Sequence, residues 1–184
     1  VNTHQSSWLE PVSVIYEKYH FRREWTEEII AECQRANIDF STTPYDQEAI
    51  DSIEKSVPFI KIGSGDISWL EHVKNCASTK LPIIIATGAS DNDDVERCMT
   101  LLAEQGNQIC IMQCNTNYTV DRDKFQYVNL NVLRHYAYRY PDAILGLSDH
   151  TTSSTSVLGA VALGARIIEK HFTDDNERVG PDHK

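Results

Sequence analysis

The sequence predicts an α/β fold on a parallel sheet, and three observations predict it. Six short apolar runs recur along the 184 residues, segments of helical periodicity separate them, and polar residues close every run. The runs are near-continuous rather than alternating, so each strand is buried on both faces, which needs helices over both sides of a parallel sheet. A doubly wound dinucleotide fold would carry GxGxxG after a strand, and none is present. In an open sheet the polar ends would scatter along a crevice, whereas a barrel gathers all strand C-termini around one mouth. The expectation is a TIM-type (β/α) barrel.

Each element follows in order. The helical segment "REWTEEIIAECQRAN" leads through Asn37 into the first run, "IDFSTTP" from Ile38, which ends on Thr42. "PFIKIGSGD" from Pro58 carries Lys61, then Ser64 and Asp66 in a turn of small residues. "PIIIATG" from Pro82 ends on Thr87. The helix "DNDDVERCMTLLAEQG" comes next, with acidic residues where the helix dipole favours them and Gly106 where a helix stops. "ICIMQCN" from Ile109 ends on Asn115, with Thr116 and Tyr118 just beyond. "AILGLSDH" from Ala143 ends on Ser148 and His150, and the hydroxyl-rich "SDHTTSSTSV" is expected to N-cap the helix "TSVLGAVALGA". "ARIIEKHF" from Ala165 ends on Glu169 and His171.

A full barrel has eight strands and about 250 residues. With six runs visible, no convincing central strand in the first 20 residues and Val rather than Met at position 1, residues 1–184 are expected to be about six of eight βα units. They would form one partial barrel domain trimmed at both ends.

The composition, 41% hydrophobic and 24% charged, is that of a soluble globular protein. A net charge of -10 opposes binding to nucleic acid or anionic membrane, both of which need a positive field. No apolar stretch approaches the roughly 18 residues of a membrane span, and the N-terminus lacks the basic and apolar regions of a leader, so a cytoplasmic location is expected. The five cysteines are odd in number, irregularly spaced and without CxxC, which points to reduced thiols. Cys110 and Cys114 share a strand face and suit buried packing better than a metal.

The strand period of two also puts Ser148 with His150, and Glu169 with His171, on one face. If that face is the barrel interior, adjacent strands bring both imidazoles within reach of one divalent ion such as Mn²⁺ or Zn²⁺, with Asp149 and Glu169 available to orient the rings. Hydrogen bonding in a polar mouth without metal is the plainer alternative. Lys61 lies inside an apolar strand and needs an anionic partner, either Asp66 or Glu169 internally or a substrate phosphate or carboxylate. The "GSGD" turn lets backbone N–H groups approach an anion, and with Thr42, Thr87 and Ser148 it reads as an anion-binding ring. His4, His20, His72, His135 and His183 are expected to be solvated surface residues.

In the order "FIKIGSGD", "PIIIATG", "QCNTNY", "LGLSDHT", "GAVALGA", "IIEKHFT", "GPDH", the chain from about residue 25 onward closely resembles the sialic acid synthase family. The resemblance implies condensation of phosphoenolpyruvate with an N-acetylmannosamine-type aldehyde sugar, with release of phosphate, assisted by a divalent ion, Mn²⁺ or Mg²⁺. It assigns His150 and His171 to the metal, Thr42, Lys61, Ser64 and Ser148 to phosphoenolpyruvate, and Asp66, Tyr118 and Asp182 to the sugar. Thr87 and Thr116 join the substrate-binding positions, and Lys61, Asp66 and Glu169 are the catalytic candidates. Some relatives carry Glu in place of Asp66, Ser in place of Ala86 and Asn in place of Thr116, which bears on sugar preference and on the phosphoenolpyruvate carboxylate contact. The family's first two strands and its C-terminal antifreeze-like domain would lie outside this chain. The intact protein is expected to be a homodimer and the isolated chain inactive or nearly so. The rivals are a metal-dependent pyruvate aldolase and a non-catalytic metal- or sugar-binding module.

Overall fold

The structure, a computed structural model, describes residues 10–115 and 126–178. Five parallel strands follow one another across a single sheet in sequence order. They are β1 (Ile60–Ile62), β2 (Ile83–Ala86), β3 (Ile109–Cys114), β4 (Ile144–Asp149) and β5 (Ile167–Lys170). The helices are α1 (Val12–Tyr19), α2 (Thr26–Arg35), α3 (Gln47–Ile53), α4 (Leu70–Ser78), α5 (Asn92–Gln105), α6 (Val132–Arg139) and α7 (Thr155–Ala162). From α4 onward, one helix stands between each strand and the next, the βα alternation read in the sequence. Each strand adding beside its predecessor is how a barrel wall grows, and the five strands form a partial barrel.

The register sorts every strand residue onto one of two faces. Ile60, Ile62, Ile83, Ile85, Ile111, Leu145 and Leu147 point outward into the main core, where they meet Val73 and Cys76 of α4, Cys98 and Leu102 of α5, Leu133 of α6 and Ala160 of α7. The alternate residues Ile84, Ala86, Cys110, Met112 and Cys114 form a second, inner cluster with Phe59 and Ile167. Gly146 is required there because a Cβ would stand 2.8 Å from Met112 Cγ and 3.0 Å from the Ile167 carbonyl oxygen. All five cysteines are free thiols, and Cys110 and Cys114 are buried in the inner cluster as their spacing implies.

Local sequence explains where α5 begins and ends. Asp91 accepts from the Asp94 N–H at 2.9 Å while the Asp94 carboxylate takes the Asp91 N–H, a reciprocal capping box. Gly106, at φ 75°, turns the chain out of the helix. The acidic start of "DNDDVER" is thus a helix cap.

The first predicted strand, "IDFSTTP", is not a strand. It runs beside β1 with one backbone bond, Lys61 N–H to the Thr42 carbonyl at 3.3 Å, while the Ser41 hydroxyl takes the Phe59 carbonyl at 2.7 Å. A side chain therefore occupies an acceptor that a ladder amide would use, and Pro44 has no N–H to continue the pairing. The described sheet has five strands, not six.

Two smaller expectations also change. Ser154, the residue before α7, makes no side-chain cap because its backbone is helical (φ -88°, ψ -1°) rather than extended. His72 is not solvated: it is 2% exposed on α4, stacked on the Trp69 ring at 4.7 Å and in contact with Cys76 Sγ at 3.5 Å. The helical period of four that pairs His72 with Cys76 put it on the core face. His20 and His135 are exposed as expected, and His4 and His183 lie outside the described residues. Among the described residues no helix is long and apolar enough to cross a membrane.

Candidate active site

The C-terminal ends of the inner-face residues converge. Lys61 of β1 occupies the position that Ile84, Cys110 and Ile144 occupy on successive strands, and Ser148 of β4 is the direct register partner of Glu169 on β5. Lys61 Nζ lies 3.2 Å from Glu169 Oε2 and donates to the Ile62 carbonyl at 3.1 Å. The Ser148 hydroxyl donates to Glu169 Oε1 at 3.4 Å. Of the two internal partners considered for Lys61, the structure selects Glu169. The lysine side chain is 17% exposed and the carboxylate 42%, so solvent reaches this pair from the glutamate side.

The two histidines continue the same face beyond the last ladder residues. His150 Nδ1 stands 3.1 Å from His171 Nε2, with ring centroids 4.9 Å apart and planes at 71°. The other nitrogen of His150, Nε2, lies 3.6 Å from the Cys114 sulfur. Burial pushes the Cys114 thiol upward in pKa, against hydrogen bonds with Ser148 and Ser64 that hold it down. The neighbourhood of His150 therefore includes Cys114, a residue the sequence marked as packing.

Asp66 sits in the turn after β1, with its Oδ2 over Gly63 at a distance a Cβ there could not tolerate, 2.8 Å. Burial raises its carboxyl above the ordinary range, and the nearby His72 and Lys61 charges pull the other way. Net, the neutral carboxylic acid is favoured more than in water, a condition suited to donating a proton.

Other predicted positions are arranged differently. Thr42 offers its backbone carbonyl to Lys61 and Ser64 bonds the Cys114 thiol, so both border the cluster. Thr87 falls on the opposite parity: its hydroxyl donates to the Met112 carbonyl at 2.9 Å and accepts from Tyr136 at 2.9 Å, which locks β2 to β3 and α6 on the outer side. Asp149 also faces outward, where it pairs with Lys170 at 2.7 Å. Both placements follow from the period of two, which turns each of these residues away from its inner-face neighbour. Thr116, Tyr118 and Asp182 lie outside the described residues.

The residues brought together are Lys61, Ser148, Glu169, His150 and His171, with Cys114 below them. Among the described residues no three His, Cys, Asp or Glu side chains are grouped to hold an ion. The donors present are two imidazoles whose nitrogens face each other, a set that leaves most coordination positions to water or substrate oxygens.

The model of the NeuB family matches residues 2–184. An N-acetylneuraminate-9-phosphate synthase of Drosophila melanogaster is 34% identical over 180 residues, covering 97% of this chain and 48% of that protein. An N,N'-diacetyllegionaminic acid synthase of Campylobacter jejuni is 36% identical over 165 residues, covering 86% and 47%. The chain thus spans about half the length of these relatives. Among solved structures, an N-acetylneuraminic acid synthetase of Leptospira borgpetersenii in complex with citrate superposes with a TM-score of 0.86 over 98% of this chain and 63% of that one, at 24% identity, a likeness of fold. Family coverage of residues 2–184 and two relatives above one-third identity show that the chain belongs to the NeuB family.

Proposed function

We propose that the protein containing this chain condenses phosphoenolpyruvate with an N-acetylmannosamine-type aldehyde sugar to give a nonulosonic acid and inorganic phosphate. The observation that carries the reading is the inner-face cluster of Lys61, Ser148 and Glu169 beside His150 and His171, in a chain whose relatives are sialic and legionaminic acid synthases.

The chain's own residues suit that chemistry. The Lys61 ammonium, now balanced by Glu169, is the cation an anionic substrate would engage, with Ser148, Ser64 and Thr42 around it. Held there, the enol carbon C3 of phosphoenolpyruvate forms a bond to the aldehyde carbon. The sugar oxygen takes up a proton, water adds at C2 and loses one, and the C2–O bond to phosphate breaks as the remaining hydroxyl proton passes to the departing phosphate, leaving a ketone. Asp66, whose carboxyl burial pushes upward, is the candidate for moving a proton at the sugar oxygen or the incoming water. His150 and His171 would hold a divalent ion, Mn²⁺ or Mg²⁺. When bound, such an ion supplies Lewis-acid polarisation of the aldehyde. Thr87, tied to Met112 and Tyr136, would act by fixing the β2 end rather than by touching substrate. For Thr116, Tyr118 and Asp182 the substrate-binding role rests on the family resemblance. A cytoplasmic homodimer fits a biosynthetic role.

The test is release of phosphate from phosphoenolpyruvate by the full reading frame encoding this chain, with Mn²⁺ and N-acetylmannosamine, beside His150→Ala. Sugar-dependent release that the variant loses supports the synthase. If no hexosamine, phosphorylated or diamino sugars included, elicits phosphate release, the reading fails in favour of an aldolase or a binding module.

A further inference from the structure

The ends of β4 and β5 are joined twice, once on each face. Inside, His150 meets His171 at 3.1 Å. Outside and one residue earlier, the direct register partners Asp149 and Lys170 form an ion pair of 2.7 Å. The Asp149 side chain is only 2% exposed, and its carboxylate is held from every direction. Oδ1 accepts from the Thr151 N–H at 3.1 Å and the Ser156 hydroxyl at 3.0 Å, and Oδ2 accepts from the Thr151 hydroxyl at 3.1 Å. Lys170 Nζ places its remaining protons on the carbonyls of Thr151 at 2.5 Å and Ser153 at 3.4 Å, which saturates the ammonium's three donors.

The consequence concerns the histidines. His150 lies between Asp149 and Thr151, both of which Lys170 grips, and His171 is the residue after Lys170. Each imidazole is attached to backbone that this one ammonium restrains, at the point where the strand ladder has ended and would otherwise fray. We propose that Asp149 and Lys170 are positioning residues for the histidine pair: their outer-face bond sets the approach of the two imidazoles on the inner face. Neither touches the reacting atoms. The hydroxyl-rich stretch after β4 gains a purpose in the same way, since Thr151 and Ser156 complete the carboxylate's shell instead of capping α7. The carboxylate is buried but the ammonium is 38% exposed, and an ion pair open to solvent on one side adds little net stability, so stabilisation alone is a weak account of it. The link to an ion rests on the proposed function, but the mutual placement of the imidazoles does not.

The test uses the full reading frame with isotope-labelled histidine, metal-free, and follows the imidazole resonances of His150 and His171, identified with His150→Gln and His171→Gln. Lys170→Met and Asp149→Asn are expected to shift or split both sets of signals and to leave His20, His72 and His135 in place, while Lys170→Arg preserves the wild-type signals. Unchanged His150 and His171 signals in a folded Lys170→Met or Asp149→Asn protein would overturn the proposal, whatever the loss in melting temperature. Should Lys170→Met fail to fold, the near-isosteric Asp149→Asn gives the same comparison. Titration with Co²⁺ then separates the two readings: Lys170→Met is expected to bind it roughly 10–100-fold more weakly, the range for partners that orient ligands, and Lys170→Arg close to wild type. If Co²⁺ leaves the wild-type imidazole signals untouched, the metal reading fails, and the metal-free spectra alone decide the positioning role.

Discussion

The outer and inner faces of the sheet are built from alternate residues of the same strands, yet they obey different rules. Outward, β2 presents Ile83 and Ile85 and β4 presents Leu145 and Leu147, all buried against helices that stay in place along the whole strand. Inward, β4 changes character along its length, from Ile144 and Gly146 to Ser148 and then His150, and β5 does the same from Ile167 to Glu169 and His171. The outer face is a core until the polar strand ends at Thr87, Asp149 and Lys170, while the inner face passes from the Ile84–Cys110–Met112 cluster to a reactive group at the top. Along the body of the strands, below the Asp149–Lys170 pair, stability and chemistry are therefore separable by parity.

Substitutions on opposite parities should therefore have opposite signatures. Leu147→Ala, removing a side chain 1% exposed, is expected to cost about 2–5 kcal/mol in urea-induced unfolding while phosphate release per folded molecule stays near wild type. One strand-width of chemistry away, Lys61→Met should do the reverse: turnover falls by about 100-fold or more as anion positioning is lost, and stability changes by less than about 1 kcal/mol because the half-exposed Glu169 can return to water. If Lys61→Met unfolded the protein as Leu147→Ala does, the two faces would not be separable.

Away from both faces, Asp91→Ala removes the side chain that caps α5 and should cost about 1 kcal/mol, read as a shift in denaturation midpoint with no change in turnover. The smallest effect sharpens the comparison at its border. Asp66 has a folded-state pKa above its ordinary 3.8, so relative to an uncharged residue it weakens the fold once it ionises. Asp66→Asn should then stabilise the protein at pH 7 by less than about 1 kcal/mol, since solvent screens the partly exposed carboxyl. The gain is expected to shrink as pH falls through the raised folded-state pKa and to vanish below about 3.8, where both states of the wild type are protonated. A gain that grew at acid pH would reverse the sign and remove the case for Asp66 as a neutral acid.

Much of this was legible in the chain. The apolar runs at β1 to β5 and the helical segments after them carry their own periodicity, and the capping box at Asp91 and the stop at Gly106 are local patterns that no distant contact has to complete. The pairing of Ser148 with His150 and of Glu169 with His171 on one face follows from alternation alone. Local pattern also misled where a competing bond was at hand: residues 38–44 have strand composition, but the Ser41 hydroxyl takes a carbonyl that the ladder would need.

Local pattern is therefore enough for the five strands, their order and the alternation of their residues between two faces, because these depend on backbone periods and on neighbours within a few positions. The tertiary structure settled who meets whom: that Lys61 pairs with Glu169 and not Asp66, that Cys114 lies beneath His150, and that Lys170 is the partner of Asp149. These are contacts between residues 21 to 108 positions apart in the chain, set by sheet register and barrel curvature. The choice among partners of equal chemistry rests on those distances.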